Sequence, residues 1–107
     1  MNEKITSIYK SRLMYALNNT RLETLTAQQL AQFSGINEVS ETCPATRGII
    51  RELIADGELI GSTSKGYHVM KEGKEVQQCL NSLLRRQMGI TSRIQAIYDA
   101  ATAKGIL

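Results

Sequence analysis

Histidine and proline each occur once in this chain, cysteine twice, and tryptophan not at all. Each scarcity excludes something. A lone histidine, His68, with Cys43 and Cys79 set far apart and in no CxxC pair, cannot supply the ligand sets of familiar zinc sites. Nor can His68, on the outer face of a strand-like run, assemble a catalytic triad. Two isolated thiols fit a reducing compartment better than a disulfide scaffold. No apolar run approaches the roughly 20 residues that span a bilayer. The opening Met1-Asn2-Glu3-Lys4 is charged and leads into an amphipathic segment, not into the apolar core of a secretory signal. A cytoplasmic protein without membrane attachment is expected. No glycine-rich phosphate loop is present, since Gly61 and Gly66 bracket a hairpin, and no carboxylate pair suggests acid–base work. Neither enzyme activity nor a cofactor is expected.

What remains is the composition of a folded domain: 42% hydrophobic and 21% charged residues in a chain of 107. That length supports one thin core, to which a partner subunit would add. The formal charge of +3 suits an anionic partner without demanding one.

Hydrophobic periodicity divides the chain into elements. From Asn2 to Asn18, Ile5, Ile8, Tyr9, Leu13 and Leu17 recur at steps that make one stripe on a helix. Asn18-Asn19-Thr20 ends it. Thr26 with Gln29 has the capping-box spacing for a second helix, which turns Leu30, Ala31 and Phe33 inward and stops at Gly35. Pro44 reads as the first residue of a third helix, where its missing N–H costs nothing. This helix runs to about Asp56, with Ile49, Ile50, Leu53 and Ile54 inward and Arg47, Gly48, Arg51 and Glu52 across the other side. Two strand-like runs, Glu58 to Gly61 and Gly66 to Met70, flank the turn-prone Ser62-Thr63-Ser64-Lys65 and predict a hairpin into which Tyr67, Val69 and Ile60 pack.

From Gly73 onward a single long helix is predicted. Val76, Leu80, Leu83, Gln87, Ile90, Ile94, Ile97 and Ala101 alternate steps of four and three, with seven of the eight apolar. A heptad seam of this kind predicts helix pairing, with Leu80, Leu83, Gln87, Ile90, Ile94 and Ile97 at the contact between two subunits. Packing of the stripe on the first helix within one chain is the alternative. Gln87 would set register, and Gly89 beside it weakens the helix by about 1 kcal/mol relative to alanine.

The fold class expected is therefore mainly α with a small β-hairpin, in the order of a winged helix, divided into residues 1–72 and a C-terminal dimerisation helix, 73–107. Particular residues carry a resemblance as well. The run from Thr42 to Ile54 resembles the recognition helix of winged-helix regulators. Gly61-Ser62-Thr63-Ser64-Lys65-Gly66-Tyr67-His68-Val69 resembles the wing of the biotin-operon-repressor type and of small phage-encoded winged-helix proteins. The similarity covers about Thr24 to Met70. It implies binding of double-stranded DNA by a homodimer that regulates transcription or replication of a phage or mobile element.

The chemistry of these residues suits that reading. Arg47 and Arg51, one turn apart, offer a guanine fork and a phosphate contact, and Gly48 between them removes bulk. Thr42 and Thr46, with the free N–H groups at the helix start, can bind phosphate. Ser62, Thr63, Ser64 and Lys65 form a small basic wing tip. Two features depart from the pattern. The turn before the third helix is long and holds Glu38 and Glu41, and Glu52 shares the exposed face. These acids favour an alternative, a protein-interaction module that binds a host or replication protein through the same surface.

Overall fold

The computed structural model describes residues 3–107. Its elements are α1 (Glu3–Asn19), α2 (Ala27–Ser34), α3 (Pro44–Ala55), β1 (Ile60–Thr63), β2 (Gly66–Val69) and α4 (Gly73–Ala103). The protein is thus mainly helical with one small antiparallel hairpin, and the chain divides into two compact units between Glu72 and Gly73. Asn2, where the periodicity starts the first helix, lies outside the described residues.

In the first unit, local sequence explains both ends of α2, the proline that opens α3 and the turn that follows it. Thr26 accepts the Gln29 N–H at 3.1 Å while the Gln29 side chain accepts the Thr26 N–H at 2.8 Å, closing the capping box. Gly35 ends α2 at φ +74°, a conformation open to glycine at no steric cost. Pro44 is the first residue of α3. After Ala55 the chain turns back, with the Glu58 N–H donating to the Leu53 carbonyl at 3.0 Å.

Leu13, Leu17, Leu25, Leu30, Ile36, Ile49, Ile50, Leu53 and Ile60 form the core, with Tyr9, Met14, Tyr67 and Val69 packed against it. Four expected core positions are outside it. Phe33 is 65% exposed and Ile54 47%. The stripe that α2 buries is Ala27, Leu30, Ala31 and Ser34, and the one α3 buries is Thr46, Ile49, Ile50 and Leu53. Both follow the three-and-four spacing of one helix face, which places Phe33 and Ile54 on the flank. Ile5 and Ile8 are also exposed, because α1 buries only Leu13 and Leu17, in its second half.

The hairpin pairs Ile60 with Val69, Gly61 with His68, Ser62 with Tyr67 and Thr63 with Gly66. Ser62 and Thr63 are therefore strand, not link, and the turn shrinks to Ser64-Lys65. His68, expected at the surface, is half-buried opposite Gly61. Periodicity does not disclose a third pairing partner: Leu25 exchanges both backbone hydrogen bonds with Tyr67, at 2.9 and 2.7 Å. Gly66 makes this approach possible. Its φ is +141°, and a Cβ there would lie 2.6 Å from the Leu25 carbonyl oxygen.

The second unit is α4 and its short tail. The helix runs 31 residues, unbroken through Gly89, and none of its residues is buried. Gly105 at φ +72° closes it, with the Ile106 N–H on the Ala101 carbonyl at 3.0 Å.

Candidate nucleic-acid interface

The surface that α3 shares with the wing is organised around Arg47. Its side chain is exposed, yet held at two points. Nε donates to the Thr42 carbonyl at 2.6 Å, and Nη1 donates to the Tyr67 hydroxyl at 2.7 Å. The guanidinium carbon lies 6.0 Å from the centre of the Tyr67 ring. Tyr67 is itself half-buried against the core, so the ring is anchored and its hydroxyl emerges at a fixed place. A guanidinium has five N–H donors, and the remainder face no partner among the described residues. Arg47 is therefore aimed before any ligand arrives, which lowers the entropy lost on binding.

Lys65 and the wing serines complete an open groove whose lining includes Thr26, Arg47, Ser62, Ser64, Lys65 and Tyr67. Ser62, Thr63, Ser64 and Lys65 are all exposed. Thr63 Oγ1 accepts the Lys65 N–H at 3.1 Å, and the Lys65 carbonyl accepts from Thr24 Oγ1 at 3.3 Å. These bonds fix the turn at both ends while the lysine side chain extends into solvent.

Arg51 does not join this groove. It lies with Gly48, Glu52, Ala45, Ala55 and Thr6 along a separate shallow depression between α1 and α3. A Cβ on Gly48 would meet Arg51 Nη2 at 3.8 Å, ordinary van der Waals contact, so the glycine leaves a hollow in the surface without any close packing that requires it. The two arginines face different neighbours although they share a helix face.

The start of α3 departs from expectation. Thr46 is fully buried, so its hydroxyl cannot reach a phosphate. Its backbone N–H is already taken, donating to Glu38 Oε1 at 3.0 Å. Glu38 thus caps the helix from eight residues upstream, and its negative charge sits where the helix dipole favours it. An acid misplaced for phosphate binding is instead an internal cap, and it occupies the anion position at this helix terminus. Cys43, the residue before Pro44, is buried at φ +54°, with its thiol donating to the Glu41 carbonyl at 3.6 Å. Thr42 stays exposed, its hydroxyl 2.8 Å from that of Ser40. Of the expected phosphate contacts at the helix start, Thr42 alone keeps an available side chain.

Sequence reasoning missed Tyr67 as a polar partner and Glu38 as a cap. Alternation along the strand identifies Tyr67 only as an apolar body, and no spacing rule links residue 38 to residue 46.

On α4, Leu80, Leu83, Ile90, Ile94 and Ile97 are 49–65% exposed along the heptad seam. Leu84 and Tyr98 extend the apolar face on one side, at 53% and 57%. Gln87 lies in the seam, its carbonyl accepting from Thr91 Oγ1 at 3.1 Å.

Among the described residues, no helix is long and apolar enough to cross a membrane, and no three His, Cys, Asp or Glu residues group as a metal site would require. Comparison with known protein families, curated proteins and solved structures finds no match.

Proposed function

We propose that this chain binds double-stranded DNA through the face shared by α3 and the wing, as a homodimer joined along α4. The observation that carries the reading is the preset Arg47, tied to the Thr42 carbonyl and the Tyr67 hydroxyl beside the exposed Lys65. An arginine so placed meets phosphate or a guanine edge, and Lys65 with the wing hydroxyls reaches the flanking backbone. Arg51 contributes from the exposed side of α3, and Thr42 from the loop that precedes it. The protein acts in the cytoplasm, without catalysis and without a cofactor. The wing's likeness to small phage-encoded winged-helix proteins supports a regulatory role in transcription or replication on a mobile element.

Dimerisation rests on a 31-residue helix with no buried residue and a heptad seam. In a parallel pair, Gln87 meets the same residue of a second copy, and one polar layer of this kind sets register. Half-sites would then lie about 34–36 Å apart, or a multiple of that. Ile90→Asp with Ile94→Asp should give a monomer by light scattering with the first unit still folded; a persistent dimer would remove α4 from the interface.

The test of DNA binding is fluorescence anisotropy on a random-sequence duplex at about 50 and 200 mM salt, with wild type and Arg47→Ala/Arg51→Ala. Wild-type binding that weakens with salt and falls in the double variant supports the reading. Absence of wild-type binding at low salt contradicts it.

One observation favours binding of a protein partner, at a surface other than the α3–wing face. A groove between α1 and α2 is lined by Arg12, Tyr15, Ala16 and Phe33, with Tyr15 71% and Phe33 65% exposed. Exposed aromatics in a groove are typical anchors for a protein partner. Binding through them would depend little on salt and would be lost in Tyr15→Ala/Phe33→Ala.

A further inference from the structure

The formal charge of +3 is unevenly distributed. Residues 1–72 hold eight lysines and arginines against eight aspartates and glutamates, so the first unit is neutral overall. Residues 73–107 hold five (Lys74, Arg85, Arg86, Arg93 and Lys104) against two, Glu75 and Asp99. The whole excess therefore belongs to α4 and its tail. Between Val76 and Tyr98 the helix carries three arginines and no acidic residue.

These arginines form a strip. Arg86 and Arg93 are seven residues apart, which puts them on the same side of the helix and about 10.5 Å apart along its axis. Arg85 lies about 100° around from Arg86. Arg86 and Arg93 flank the seam, each three or four residues from Leu83, Ile90 or Ile97, so closing it covers part of their stems while the guanidinium groups reach water along its edge. Arg85 lies farther round, clear of the seam. All three are exposed, and among the described residues none has a carboxylate partner. A face kept merely wet ordinarily mixes both signs, as where Lys10 of α1 meets Asp56 at 2.8 Å. A single-sign strip instead raises a local positive potential. Guanidinium groups pair with phosphate in forked geometry that ammonium groups do not match.

We propose that Arg85, Arg86 and Arg93 form a second nucleic-acid contact, which grips the phosphate backbone without regard to sequence. The α3–wing face then supplies the sequence preference and, through Arg47, a smaller share of the general affinity. The proposal rests on the DNA-binding reading above. An anionic membrane is the competing partner for a basic amphipathic helix. The apolar residues of α4, however, follow a heptad with a polar layer at Gln87, the pattern of a helix partner and not of a lipid plane.

The experiment measures anisotropy of the full chain on a random-sequence duplex, from about 50 to 200 mM salt, for wild type and Arg85→Gln/Arg86→Gln/Arg93→Gln. Glutamine keeps the helix propensity close to that of arginine. The log–log salt slope should shrink by about 0.9 for each phosphate no longer neutralised, hence by about 2–3 per subunit, with affinity at low salt down at least about tenfold. Arg47→Ala should change the slope by about 1 at most. Wild-type binding with an unchanged slope in the triple variant would overturn the strip alone. No wild-type binding at all would defeat the DNA-binding reading itself. Wild-type binding to phosphatidylcholine–phosphatidylglycerol vesicles, abolished in the triple variant, with no duplex binding, would assign the strip to lipid and overturn the proposal. Should circular dichroism show the triple variant to have lost its helix, Arg86→Gln and Arg93→Gln singly decide, each expected to lower the slope by about 0.9.

Discussion

Arg47 on α3 and Tyr67 on β2 are joined by a 2.7 Å hydrogen bond that ties the third helix to the wing. Tyr67 is also the residue that pairs with Leu25 through its backbone, so one strand position connects the α1–α2 link, the wing and α3. The position of the candidate DNA-contacting arginine therefore depends on a tyrosine anchored against the core.

Tyr67→Phe isolates that dependence. The ring remains to pack on the core, so stability should change by less than about 1 kcal/mol, the net worth of one exposed hydrogen bond. Freed from its second tether, Arg47 should bind duplex DNA about two- to tenfold more weakly. Chemical denaturation and anisotropy on the same preparation separate the two effects. Equal affinity in the variant would show that the tether does not matter.

Glu38→Ala should destabilise the first unit by about 1 kcal/mol, because the Thr46 N–H loses its acceptor at the start of α3. For a unit of this size that corresponds to a fall in Tm of about 4–8 °C. Glu41→Ala serves as the control, since the Glu41 side chain is exposed and its carbonyl, not its carboxylate, accepts from Gln28 and Cys43.

Gly66→Ala addresses the close approach of β2 to Leu25. With φ at +141° and 2.6 Å between the new Cβ and a backbone oxygen, no side-chain rotation relieves the clash. A loss of about 2–3 kcal/mol is expected from strain of this kind. Gly57→Ala also sits at positive φ, +109°, but meets nothing within 4 Å, and should cost less.

The Lys10–Asp56 pair links α1 to the end of α3 at 2.8 Å. The hydrogen bond to Asp56 raises the Lys10 pKa above its ordinary 10.5, aided by the Asp56 and Glu52 charges and opposed by partial desolvation. A folded-state pKa above the unfolded one contributes stability that is fully present below 10.5 and is lost as pH rises through the folded value. The difference in Tm between wild type and Lys10→Met should therefore be constant through neutral pH and narrow in strongly alkaline buffer. A difference that instead widens with pH would contradict the pairing. The exposed position keeps the effect small.

Much of the architecture is legible in the sequence because it follows from local chemistry. The Thr26–Gln29 box, Pro44 at a helix start, Gly35 and Gly57 at helix ends, and the onset of α4 at Gly73 each follow from residues a few positions apart. The rest is set by long-range packing. Phe33 and Ile54 read as core residues because hydrophobicity does not reveal which edge of an apolar stripe its neighbours will cover. The Leu25–Tyr67 pairing lasts one residue and has no period to detect. Thr46 has the chemistry of a phosphate ligand, but Glu38, eight residues away, fills that position. Of the candidate site, Arg47, Lys65 and the wing hydroxyls share one groove, while Arg51 faces another.

Binding of duplex DNA by the preset Arg47 face is open to direct test. The most direct measurement is the affinity of wild type and Arg47→Ala for a random-sequence duplex at about 50 mM salt, repeated at about 200 mM. Tight wild-type binding that weakens with salt, and at least a several-fold loss in Arg47→Ala at the lower concentration, is the expected result. Wild-type binding that Arg47→Ala leaves unchanged, or no wild-type binding at the lower salt, would contradict the claim.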